Sequence, residues 1–123
     1  MILESLVPVL RQAGIAEPIM INHMPHRVRI GVLLLNKLAG AEIDHEIDGL
    51  RRSSFQAIVR HPEYAQGRQL AERVMDALQM ARREIPGAEV KYIRARHEPV
   101  VYPISEGELL EFSVNFDAVY GRM

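Results

Sequence analysis

The sequence predicts an α+β fold, a small, mainly antiparallel sheet covered by an N-terminal helix and one long central helix. Three observations carry this. In residues 110–120 (LEFSVNFDAVY), Phe112, Val114, Phe116, Ala118 and Tyr120 alternate with Glu111, Ser113, Asn115 and Asp117, the pattern of a strand buried on one face. Residues 63–85 bring Gly67, Leu70, Ala71, Val74, Ala77, Leu78, Ala81 and Ile85 to one side at spacings of three and four, the stripe of an amphipathic helix. Strand-like runs are grouped on either side of that helix instead of alternating with helices, which favours α+β over a doubly wound sheet.

In chain order, Leu3, Leu6, Val7 and Leu10 mark a first helix with Gly14 as its stop. Proline in a helix interior costs about 3 kcal/mol, so the regular helix is expected to start near Ser5, leaving Pro8 in the unpaired first turn. Residues 18–22 are a brief extended segment. Residues 27–36 (RVRIGVLLLN) form the most apolar run. There Val28, Ile30, Val32 and Leu34 share a face, with Leu33 and Leu35 behind, as in a central strand. Residues 37–53 (KLAGAEIDHEIDGLRRS) carry two glycines, seven charged side chains and little periodicity, and are expected to be a long loop or mobile β-arm. Residues 54–61 form the next strand, with Phe55, Ala57 and Val59 on one side. It ends at His61-Pro62, where proline suits a first helical turn. Pro86-Gly87 is read as the stop of the long helix. Residues 89–97 (EVKYIRARH) read as a strand in which Val90, Tyr92, Arg94 and Arg96 alternate against Lys91, Ile93 and Ala95. Residues 98–108 read as a turn or open loop. Phe112, Val114, Phe116, Val74, Leu78, Val32 and Phe55 are expected to form one core.

The chain has 123 residues, enough for one domain with a buried core. A net charge of −1 gives no general attraction to nucleic acid or anionic lipid. There is no cysteine, which removes disulfides and thiolate metal sites. The N-terminus does not look like a signal peptide and no run is apolar enough to span a bilayer, so the expected compartment is the cytoplasm, with no membrane partner.

A search for chemistry finds no active site. His23 and His26 have an H-x-x-H spacing, but Pro25 prevents a helix from carrying them and no carboxylate completes a metal site. His61 is expected to cap the helix that follows it. His45 and His97 lack a recognisable partner. Asp44, Glu46, Asp48 and Gly49 imitate the start of a calcium loop, yet Phe55 stands where the bidentate glutamate belongs. No serine lies in a nucleophile-elbow motif, and no glycine-rich phosphate loop occurs. No catalytic residue, metal or cofactor is therefore expected. The long charged connection favours binding or assembly. Asp44, Glu46 and Asp48 would present three carboxylates on one side of an extended segment, and Ile43, Ile47 and Leu50 are apolar enough to dock. These six are the expected docking residues. Arg68, Glu72 and Arg73 on the helix back, with Glu111, Ser113 and Asn115 on the polar face of the last strand, are the expected subunit interface.

Arg29-Ile30-Gly31-Val32-Leu33-Leu34, Gly40, Ile43-Asp44, Gly49 and Phe55-Gln56-Ala57-Ile58-Val59-Arg60 resemble the tail terminator, or tail completion, proteins of long-tailed bacteriophages, often described as minor capsid proteins. Tyr64, Leu70-Ala71, Pro99, Tyr102 and Glu111-Phe112-Ser113-Val114-Asn115 continue the resemblance, which runs from Met20 to Tyr120. It implies a structural protein of the virion, built in the host cytoplasm and placed at the head–tail junction. It also implies a homo-hexamer on the head-proximal end of the tail tube, bound to the tail tube protein and to the head connector or stopper, with DNA crossing its lumen unbound. Two other readings stand beside it: another head–tail connector or head-completion adaptor, and a small α+β enzyme, which would need a polar cluster in a pocket.

Overall fold

Two long strands carry the molecule. In the computed structural model, which describes residues 2–36, 40–103 and 108–122, β4 (Leu50–His61) and β8 (Leu110–Arg122) run antiparallel from the pair Leu50–Gly121 to the pair His61–Leu110. Period-two alternation sends Phe55, Ala57 and Val59 of β4 and Phe112, Val114, Phe116, Ala118 and Tyr120 of β8 to one face, where all are buried. Phe55 and Phe116 are cross-strand partners and stack at 4.9 Å between ring centroids, the kind of aromatic pair that pins a register.

The other elements are α1 (Leu3–Gln12), β1 (Ile19–Ile21), β2 (Gly31–Asn36), β3 (Glu42–Ile43), α2 (Tyr64–Leu78), β5 (Met80–Ile85), β6 (Ala88–Ala95) and β7 (Val100–Pro103). Sheet order is β1-β2-β4-β8-β6-β5, with β3 added to β4 and β7 to β8. Every pairing is antiparallel except β1 with β2. The fold is α+β as expected, but the sheet has eight strands and is not small. Both helices contribute to the core cluster: Leu3, Leu6, Val9 and Leu10 from α1, and Leu70, Ala71, Val74 and Leu78 from α2. All seven expected core residues belong to it.

Several expectations are corrected. The long helix stops at Leu78, and Gln79 is already extended. Residues 80–85 form β5, paired with β6 through a two-residue turn in which Gly87 holds a φ of 86° after Pro86. Pro86-Gly87 is thus a hairpin turn, and Ile85 reaches the core from a strand while Ala81 is exposed. Residues 80–85 have good helix formers, but a hairpin here pairs the backbone groups along one side of β8, and tertiary pairing outweighs local propensity. Pro8 lies inside α1, which begins at Leu3; burying Leu3 and Leu6 outweighs the lost hydrogen bond. The apolar run 27–36 is strand only from Gly31, and Ile30 is exposed. Residues 22–30 cross between two parallel strands, and the buried Arg60 holds them by donating to the carbonyls of Pro25 (2.8 Å) and Val28 (3.0 Å).

In β6 the register slips by one residue between Val90 and Tyr92. Val90 and Ile93 therefore both reach the core, a spacing that simple alternation forbids. The strand expected at 54–61 begins four residues earlier, at Leu50, β3 falls within the β-arm reading of residues 37–53, and β7 lies in the segment read as a turn or open loop. Residues 37–39 of the charged connection, and residues 104–107 of the turn read at 98–108, lie outside the described residues.

Candidate assembly surface

The charged connection forms a hairpin. Glu42 pairs with Arg52 and Ile43 with Arg51. Asp44 shapes the turn: its Oδ1 accepts the backbone N–H groups of Glu46 and Ile47, both at 2.8 Å, and its Oδ2 lies 3.4 Å from Arg52 Nη1. This is an Asx turn. The two backbone donors and the nearby guanidinium hold the Asp44 carboxyl below the usual carboxylate range. Asp44, Glu46 and Asp48 therefore do not lie along one extended side. Glu46 and Asp48 are exposed and make no ion pair among the described residues, whereas Asp44 holds the turn. Ile43 and Ile47 are 55% and 56% exposed, large apolar side chains offered to solvent on a tight hairpin. Leu50 is only 7% exposed and belongs to β4, so it is corrected from docking residue to hairpin anchor.

The polar face of β8 is internally knitted. Glu111 accepts from Arg60 Nη2 at 3.1 Å, and Gln56 Nε2 donates to the Ser113 hydroxyl. Asn115 meets His97 Nε2 through both its backbone and its side-chain amide. Asp117 takes a forked contact from Arg96 at 2.6 and 2.9 Å, and the Ser54 hydroxyl donates to it at 3.2 Å. Arg96 holds the Asp117 carboxyl below its ordinary range. Ser113 is buried at 6% and offers no surface of its own. On α2, Arg68 and Glu72 form an exposed i,i+4 ion pair at 3.1 Å, while Arg73 donates to the carbonyl of Gly14 at 3.0 Å and ties the helix to the chain after α1.

Sequence reasoning missed three surface features. Tyr102 on β7 is 57% exposed, with Val100 on the same side of its strand. Arg82 and Arg83 stand exposed on β5, an edge strand. The helix expected over residues 63–85 includes this segment, and the Pro86-Gly87 pair between two charged runs is the signal that points instead to a hairpin. The third is an open groove of about 710 Å³ beside the hairpin, lined in part by Arg52, Ser54, Tyr92, Arg96 and Asp117. Among the described residues its lining holds no histidine, and the Ser54 hydroxyl is hydrogen-bonded to Asp117 and Arg96. His61 Nδ1 accepts the N–H of Glu63 at 3.0 Å, a cap at the start of α2. Among the described residues no three His, Asp or Glu side chains gather as metal ligands, and no helix is long and apolar enough to cross a membrane.

The surface thus offers a hairpin turned by Asp44 beside β4 and an arginine-bearing edge strand, β5, at the far end of the sheet. The sequence profile of a family described as "Bacteriophage tail terminator protein" matches residues 9–122. The chain belongs to that family. It is a structural component of a phage-type virion tail, and it works by assembling with other virion proteins. A search of curated proteins finds no match. Among solved structures, a chain described as "Virion of native gene transfer agent (GTA) particle" superposes with a TM-score of 0.65 at 15% identity, covering 96% of this chain and 90% of that one. That likeness speaks for the fold.

Proposed function

We propose that this tail terminator forms a ring of six on the head-proximal end of the tail tube, arrests tube polymerisation and gives the head connector its joining surface. The family match over residues 9–122 carries the reading. A fold with stapled polar faces and no assembled catalytic cluster among the described residues supports it. The hairpin tip, with Ile43, Ile47, Glu46 and Asp48, docks on the tail tube protein or on the neighbouring subunit. Arg68 and Glu72 of α2 lie at the subunit interface. DNA crosses the lumen unbound. Arg96 beside Asp117 and Arg52 beside Asp44 fit that reading, because a guanidinium already partnered by a carboxylate releases few counterions from phosphate.

The test is to delete the gene and compare tails by electron microscopy. Tails without the protein are expected to be overlong and headless, and supplying the protein restores their length. Tails of normal length that still fail to join heads would assign the chain to head completion instead.

A further inference from the structure

The two margins of the sheet carry opposite charge at the same height. One hydrogen-bonded row crosses the whole molecule: Ile43 on β3, Arg51 on β4, Tyr120 on β8, Val90 on β6 and Arg83 on β5. β3 and β5 are thus the two ends of one row, about 19 Å apart at the usual strand spacing. Three antiparallel steps and one more separate them, so they run in the same direction. Glu42 on β3 and Glu46 and Asp48 in the turn beyond it are exposed, while Arg52, opposite Glu42 on β4, is taken up by Asp44 at 3.4 Å. On β5, Arg82 and Arg83 are exposed and make no ion pair among the described residues, while nearby Lys91 is held by Glu89 at 3.1 Å. Glu84 follows on the same strand and offsets part of this charge. Arg82 sits at a φ of 52° and interrupts the ladder with β6. The strand edge is therefore a poor template for further backbone pairing, and side chains must carry any contact made there.

On the reading that the subunit forms a ring, we propose that the acidic hairpin of one copy docks against the basic β5 margin of the next copy. The occupant of each margin is a second copy of this chain. Charge complementarity selects the arrangement: hairpin against hairpin, or β5 against β5, opposes like charges, so a two-fold dimer through either margin is repelled. A head-to-tail contact attracts. Because both margins lie on one row of the sheet, every joint in a head-to-tail series is the same heterologous contact, the kind from which a ring is built. Ile43 and Ile47, with the exposed Ala81 across the joint, supply apolar contact.

A charge exchange tests this. Asp44 is left intact because it holds the turn. In a phage lacking the gene, E42K/E46K/D48K alone and R82E/R83E alone are each expected to fail to cap tails, since each now presents like charges across its own joint. Produced together, they are expected to restore tail length, because alternating copies face each other with opposite charge. A single chain carrying all five changes should restore it too. Melting curves of each purified variant establish that it is folded. R82Q/R83Q, which removes the attraction without adding repulsion, is expected to give a milder loss. If either charge variant caps tails alone, or if folded variants do not rescue each other, the proposal is overturned while the capping function stands. If the wild-type gene itself does not restore tail length, the capping function falls first.

Discussion

Gly67 lies where α2 passes over β8, and the approach is so close that a Cβ built there would stand 2.3 Å from Phe112 Cε1 and 2.8 Å from His61 Cβ. Gly67→Ala gains about 1 kcal/mol of helix propensity and forces an overpacking cost of about 1–3 kcal/mol. Because two rigid groups would have to yield, a net loss of stability is expected in chemical denaturation, against the helix-propensity trend. Phe116→Ala removes one ring of the Phe55 stack from a fully buried site, and its expected cost is about 3–5 kcal/mol. A loss under about 1 kcal/mol would place Phe116 on the wet face. Asp117 gives a pH test. Its carboxyl titrates below the ordinary 3.8 in the folded chain because Arg96 favours the charged form. Its contribution is therefore complete above the ordinary value and is lost as pH falls through the lowered one. Asp117→Asn should melt below the wild type at neutral pH, and the gap should close as the solution is acidified below 3.8.

Hairpins decide how the elements assemble, and they are where the sequence was hardest to read. β8 and the N-terminal part of α2 were legible because one period ran through each without conflict. The last two turns or so of the expected helix, after Leu78, were not. Residues 80–85 satisfy a helix stripe through Ala81 and Ile85, and only the availability of β6 as a partner makes them a strand. The β6 bulge was illegible for a similar reason, since nothing local announces that Lys91 is the extra residue. Of the candidate surface, the acidic hairpin was visible in composition, but its geometry was not. The alternation of Asp44, Glu46 and Asp48 suggested an extended arm, whereas Asp44 folds back on the two N–H groups that follow it. Two substitutions separate these roles. Asp44→Ala should loosen the turn, speeding hydrogen exchange at the amides of Glu46 and Ile47, while E46K/D48K should leave that exchange unchanged. Equal exchange in both variants would mean that the Asx turn does not organise the tip.

At the scale of the whole molecule, the sheet exposes two different margins and helices cover only one of its faces. Two unlike margins suit the head-to-tail contact proposed above, and the family to which the chain belongs is that of phage tail terminators. Its net charge of −1 and the pairing of Arg52, Arg60, Arg68 and Arg96 with carboxylates, which leaves Arg82 and Arg83 as a small basic patch, predict that the purified protein does not retain duplex DNA at physiological salt. Binding in the micromolar range, steeply weakened by added salt, would show an unbalanced basic surface. The claim that joins fold to function is that this chain stops a growing tube by closing over its end. The most direct measurement is tube polymerisation in vitro from purified tail tube protein, with tube length followed by electron microscopy as this protein is added. Elongation is expected to stop on addition, and end views of the stopped tubes to show a six-fold ring at one end. Tubes that keep growing at the same rate with the protein present would contradict it.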